Sequence, residues 1–366
     1  VIFVRPGIHQ RLKLGANGLP DDVEQALLNC HKGPDIWVLG GYLRLRRRGY
    51  NVELADDFRP GALCIAHRDD VRRRIAVLWR SFVVSVRADR ERIFACDLEM
   101  VQSPASIEGP SASYVLHWPQ PGLRARDPSR GSLVARLGYF GAMNNLGAQY
   151  RDPGFLAELA SLGIELVIRD DPAEWSNYSD IDVVLAARDG SPCFLASKPA
   201  IKLFNAWLAG CPAFVSAEPA FYHHRTSEFD FMPVSSAQEL LVHLRQLREN
   251  PALYMQFVQR ARERAEDVTE DRVVEDWLRF FEQTAMPKYA IWHARAAPLR
   301  YTRSVATLGW NLFRQVVRGN RYSRGCDLQG NRIEQKQSAW RRAAQTVDKF
   351  LTGLERGALM ILVWGI

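Results

Sequence analysis

The sequence predicts an α/β protein built of two parallel-sheet domains with a basic helical tail, and three observations carry that expectation. Short buried apolar runs alternate with amphipathic stretches of helical period along most of the 366 residues, a length that suits two domains. The composition, 47% hydrophobic and 24% charged, is globular and excludes disordered, collagen-like and disulfide mini-protein classes. Charge is uneven: from Lys288 onward there are 14 Lys/Arg against 4 Asp/Glu, whereas residues 1–287 hold 34 against 37. The body is near neutral and the tail is strongly cationic.

In chain order, Asp35 opens a helix whose apolar face is Ile36, Trp37, Val38, Leu39, Tyr42, Leu43 and Leu45. Arg46, Arg47, Arg48 and Gly49 close it, as a helix C-terminus favours cations and glycine. Strands are expected at 50–54, 62–66, 81–86 and 114–116, and the polar loop His67, Arg68, Asp69, Asp70 follows the second of them. Pro119 and Pro121 break regular structure, and the Pro-, Gly- and Arg/Asp-rich stretch 121–132 marks a boundary. The expected domains are 1–125, 126–286 and a tail over 287–366.

The second domain reads as repeated strand–helix–strand units: strands at 137–140, 164–168, 181–186 and 213–216, with helices at 155–162 and 200–209. Amphipathic helices at 238–249, 251–265 and 273–281 are expected to complete it. A further helix is plausible at 339–354. Apolar runs, such as 357–366, reach about ten residues, short of the roughly 20 that a spanning helix needs. The chain opens on Val1, so a preceding stretch could hold a leader. Cys30, Cys64, Cys96, Cys193, Cys211 and Cys326 form no C-x-x-C pair and read as reduced thiols, which fits a cytoplasmic setting.

Ligands of open parallel sheets bind beyond the carboxyl ends of the strands. One loop there is Gly141, Ala142, Met143, Asn144, Asn145, where a glycine admits a phosphate to the backbone and asparagines donate; a plain turn explains it equally. It is not G-x-G-x-x-G, which argues against hydride transfer. A second begins Ser197, Lys198, Pro199: Pro199 suits a first helical turn, setting Lys198 and Lys202 at the positive end of the dipole, where an anion would relieve them. Lys202 and Asn205 share a face. Arg188 and Asp189 form another cleft position. The loop Ala217 to Arg225 offers Tyr222 and Arg225 to a base or phosphate, while the adjacent His223 and His224 lack the spacing of metal ligands.

The run Lys202-Leu203-Phe204-Asn205-Ala206-Trp207-Leu208-Ala209-Gly210-Cys211-Pro212, before Ala213-Phe214-Val215, resembles the nucleotide-sugar helix of GT-B glycosyltransferases, and Tyr139-Phe140-Gly141 is similar to the strand end that opens their donor domain. The likeness spans about residues 133–285. It implies a GT-B fold: two Rossmann-like domains facing a central cleft, with a nucleotide diphosphate sugar on the C-terminal domain and the acceptor on the other. The two glutamates of the retaining group fall on Ser197 and Asn205, so Asn205 is expected to hold ribose without carboxylate charge.

The expected donor residues are thus Gly141, Asn144, Asn145, Arg188, Lys198, Lys202, Asn205 and Tyr222. On the acceptor side His67, Asp69 and Asp70 are the catalytic candidates, since imidazole titrates near neutrality; a helix N-cap explains the aspartates equally, and His117 with Trp118 is a second candidate. No D-x-D metal site stands in a suitable loop, so no cofactor and no obligatory metal are expected. The acceptor is expected to be a glycan or a lipid-linked molecule. The Arg- and Trp-bearing tail fits an anionic membrane surface at the inner face better than nucleic acid, or helices packed on the first domain. The alternatives are a non-catalytic nucleotide-binding scaffold held to membrane or RNA by the tail, and a GT-B-shaped nucleotide-sugar epimerase.

Overall fold

The computed structural model describes residues 1–72, 79–90, 92–93, 96–302, 304–306 and 309. The first sheet contains β1 (Ile2–Val4), β2 (Glu53–Ala55), β3 (Leu63–His67), β4 (Phe82–Ala88), β5 (Leu98–Val101) and β6 (Ala112–Tyr114). All pair in parallel, in the order β2-β1-β3-β4-β5-β6. Every residue of β3 and β4 is buried, because helices cover both faces of a parallel sheet. The helices of this part are α1 (Ile8–Arg11), α2 (Val23–Leu28), α3 (Gly40–Arg47) and α4 (Arg68–Arg72).

The second sheet contains β7 (Arg136–Phe140), β8 (Glu165–Arg169), β9 (Val183–Ala186), β10 (Ala213–Val215) and β11 (Met232–Pro233), parallel throughout and ordered β11-β10-β9-β7-β8. Its helices are α5 (Pro153–Ser161), α6 (Pro192–Ser197), α7 (Ile201–Ala209), α8 (Pro219–His223), α9 (Ala237–Glu249) and α10 (Pro251–Ala265). In both sheets the winding direction reverses between the first strand and the third, at β1/β3 and at β7/β9. These switch points open a crevice at the carboxyl ends of the strands.

The chain then returns to the first sheet through α11 (Glu270–Phe280) and α12 (Met286–His293). Trp277 of α11 is fully buried and stacks near Phe3, Trp37 and Trp118, with ring centroids 5.9, 6.2 and 5.2 Å away. Gly41 of α3 makes room for it: a Cβ there would stand 3.2 Å from Trp277 and 3.3 Å from Phe3. Arg44 and Arg48 bond Glu270 at 2.8 and 2.7 Å, placing basic residues of α3 on the acidic first turn of α11. The stretch 273–281 therefore belongs to the core of the first domain, not to the second as its order in the chain suggests. Trp292, read as part of a basic tail, is also buried in that core.

The carboxyl ends of the two sheets face one another. Asp89, after β4, pairs with Lys198, after α6, and the turn Pro104–Ser106 that follows β5 touches α6 and α8. This is the facing two-domain architecture that the GT-B resemblance implies. Trp310, Trp340, Trp364 and the helix expected at 339–354 lie outside the described residues. Among the described residues no helix is long and apolar enough to cross a membrane.

Candidate functional site

The loops at the β7/β9 switch point and the first turn of α7 meet on the cleft side of the second domain. Gly141 follows the last residue of β7; its φ of 141° suits glycine, and its Cβ position would lie 3.3 Å from Lys202 Nζ. That ammonium sits 3.8 Å from the centroid of the Tyr139 ring, is shut off from solvent, and has no hydrogen-bond partner. Burial drives its pKa well below the usual lysine value; Arg188 adds to the fall and Glu218 opposes it. The position in the first turn of a nine-residue helix adds an unfavourable dipole term. Lys202 is thus a buried amine with no hydrogen-bond partner, on which Arg188 and Glu218 act with opposite sign.

Arg188, in the loop after β9, donates from Nη1 to Glu218 Oε2 at 2.6 Å, and Ser216 Oγ donates to Glu218 Oε1 at 3.0 Å. Glu218 has no exposed surface; burial raises its pKa against the pull of Arg188, Ser216 and Lys202. Two cations and one carboxylate therefore share this buried corner. Glu218 was not among the expected site residues. It stands at the N-cap position of α8 but makes no side-chain cap there.

The other donor candidates divide. Asn144 is exposed and Asn145 half-buried in the turn Met143–Asn145 next to this corner. Lys198 is the C-cap of α6, where a cation is favourable, and does not lie in the first turn of α7. Its Nζ bonds Asp89 Oδ2 at 2.6 Å and lies 4.1 Å from the Phe194 ring centroid. Asn205 is a correction. Its side chain is buried, bonds Tyr178, and accepts through Oδ1 from the Gln120 backbone N–H at 3.3 Å, so it ties the interdomain linker to α7 rather than facing a ribose. Tyr222 is 40% exposed and packs edge-on against Phe231.

On the facing wall, His67 ends β3 at the first sheet's switch point and is buried. Its Nδ1 accepts from the Asp69 backbone N–H at 3.3 Å, and Gly33 closes on its Nε2. Burial lowers its pKa to about 4, with Asp69 opposing, so the imidazole is neutral at pH 7. Asp69 and Asp70 occupy the first turn of α4. Asp69 pairs with Arg68 at 3.1 Å, and Asp70 is buried 3.4 Å from Arg5 Nη1. The carboxylates are therefore engaged by arginines, and neither is the N-cap that the sequence suggested, because α4 already starts at Arg68. His117 holds the Trp118 carbonyl at 2.7 Å through Nδ1, and burial takes its pKa to about 4. It lines a small interdomain cavity with Arg44, Trp118, Gln120 and Trp175.

His223 and His224 stand at the domain contact instead of at a metal site: His224 Nε2 is 2.8 Å from Tyr114 Oη of β6. With these positions fixed, comparison with known proteins adds solved structures only. No family model and no curated protein matches the chain. Solved structures that resemble it include HepE (Alr3699) of Anabaena in complex with UDP-glucose, at 12% identity and TM-score 0.45, covering 78% of this chain and 99% of that one. AviGT4, a glycosyltransferase involved in avilamycin A biosynthesis, is similar at 12% identity and TM-score 0.45, with 81% and 98% covered. TarM is similar at 10% identity and TM-score 0.44; the overlap covers 60% of this chain but 54% of TarM.

Proposed function

We propose that this protein is a glycosyltransferase that moves a sugar from a nucleoside diphosphate sugar, held by the second domain, to a glycan or lipid-linked acceptor on the first. The observation that carries the reading is the unpartnered, buried Lys202 ammonium beside Gly141 at the β7/β9 switch point. A diphosphate placed there meets Lys202, the amide end of α7 and Arg188, so charge that develops on the leaving group as the glycosidic bond breaks is already opposed. Glu218 fixes the Arg188 guanidinium in place. Lysine and helix dipole supply this stabilisation without requiring a metal. His117, whose Nδ1–H donates to the Trp118 carbonyl and so leaves Nε2 able to accept, is the first-domain candidate to receive a proton from an acceptor hydroxyl, whereas His67 already uses Nδ1 as an acceptor and carries its proton on Nε2.

Placement of the protein in the cytoplasm, at the inner membrane face through the basic residues beyond Lys288, belongs to the same proposal and suits a lipid-linked acceptor. The test is incubation with a panel of radiolabelled nucleotide sugars, followed by assay for sugar release or transfer. Turnover of at least one donor is the expected result, and binding without turnover across the panel overturns the reading. Lys202→Ala is expected to weaken a nucleoside diphosphate about 10- to 100-fold, the loss of one charge-assisted contact, and to leave the parent nucleoside unchanged. Equal losses for both ligands would count against the assignment.

A further inference from the structure

We propose that Asp89 and Lys198 form a displaceable pair across the cleft, the carboxylate holding the place on the ammonium that a donor phosphate takes. The inference rests on the glycosyltransferase reading and extends its donor site to a residue of the opposite domain. Asp89 reaches its position through an unusual piece of backbone. The register of β4 against β5 shifts between Val86 and Ala88, and Ala88 is the one non-glycine residue with positive φ, 53°, among the described residues. Such a conformation costs an alanine on the order of 1 kcal/mol. The chain leaves the carboxyl end of β4 there and delivers Asp89 to Lys198 at 2.6 Å.

The charges around the pair favour exchange. Lys198 acts on Glu218, as Lys202 and Arg188 do, so three cations address one carboxylate of the second domain. Asp89 comes from the facing domain to meet this excess. Its carboxyl is held below the usual range because the attraction of Lys198 and Arg90 outweighs burial. A diphosphate carries more negative charge than one carboxylate, and Lys198 and Lys202 both act on the same Glu218. Once displaced, Asp89 stays with the acceptor wall, where its charge acts on His67 and His117.

The experiment is calorimetric titration of UDP, GDP and ADP, with the parent nucleosides as controls, into the full chain and its variants. Asp89→Asn removes the internal competitor. It is expected to bind the preferred diphosphate about 5- to 10-fold more tightly, with nucleoside affinity unchanged, and the gain is expected to vanish in an Asp89→Asn/Lys198→Met double variant. Asp89→Ser, smaller and also uncharged, serves the same test should the asparagine disturb the fold. Unchanged or weaker diphosphate binding in both single variants, with wild type binding normally, overturns the pair alone. Failure of the wild-type protein to bind any of the three diphosphates overturns the parent reading and the pair with it.

Discussion

An ammonium sealed from water without a hydrogen bond destabilises the protein that carries it, and Lys202 does so in the first turn of α7. Lys202→Met is therefore expected to raise the melting temperature at pH 7 by several degrees in calorimetry, because it removes an unpaired donor and keeps the apolar stem. Since burial favours the neutral amine, a diphosphate that restores its charge should take up a proton on binding. Binding heats measured at pH 8 in buffers of different ionisation enthalpy should reveal that uptake, and the methionine variant should lack it. The buried histidines set the acid limit. His67, His117 and His224 have pKa values near 4 when folded and about 6.5 when unfolded. Between these values the unfolded chain binds more protons, so stability is fully present above about pH 6.5 and is lost as pH falls toward 4. A melting temperature flat over that range would contradict the burial of all three. Gly141, Arg188 and Lys202 could be picked as candidates from the sequence because a glycine or arginine just after a strand and a lysine at a helix start are local signals. Glu218 and Asp89 were not, since an acid in a polar turn looks the same whether it faces solvent or a guanidinium. Asn205 misled for a related reason: its place in the motif gives no sign that the linker backbone claims its oxygen.

At the level of elements, the period of apolar residues gave the helices at 201–209, 237–249 and 251–265 and most strands within one or two residues. The exceptions are short. β1, β5 and α2 span three, four and six residues, too few for a period to declare itself, and tertiary pairing makes them regular. α11 was legible as an amphipathic helix, but no local pattern says which sheet its apolar face will meet. Its anchor is Trp277, with four aromatic neighbours, and Trp277→Ala is expected to cost about 3–5 kcal/mol in denaturant unfolding. A loss below 1 kcal/mol would mean that α11 does not hold the first core together. Gly141→Ala joins an unfavourable φ to a methyl group 3.3 Å from Lys202 Nζ, closer than ordinary van der Waals contact, and is expected to lower diphosphate affinity more than stability.

At the scale of the whole molecule, where the chain is cut decides what remains. Truncation after residue 269 removes α11 and α12, and with them Val273, Trp277, Phe281 and Trp292 from the first core. The product is expected to lose cooperative unfolding of that domain, seen as a missing transition in calorimetry. Truncation after residue 309 keeps every core residue named above and removes most of the basic residues beyond Lys288. It is expected to abolish salt-sensitive sedimentation with phosphatidylserine vesicles, and unchanged sedimentation would reject the membrane proposal. The return of the chain to its starting domain also bears on the order of synthesis. Trp37 and Trp118 leave the ribosome long before Trp277, a delay of roughly 10–30 s at ordinary elongation rates. Through that interval the nascent first sheet has an aromatic surface without its lid, while the second sheet has everything it needs to close. The half of the molecule made first is thus the half completed last.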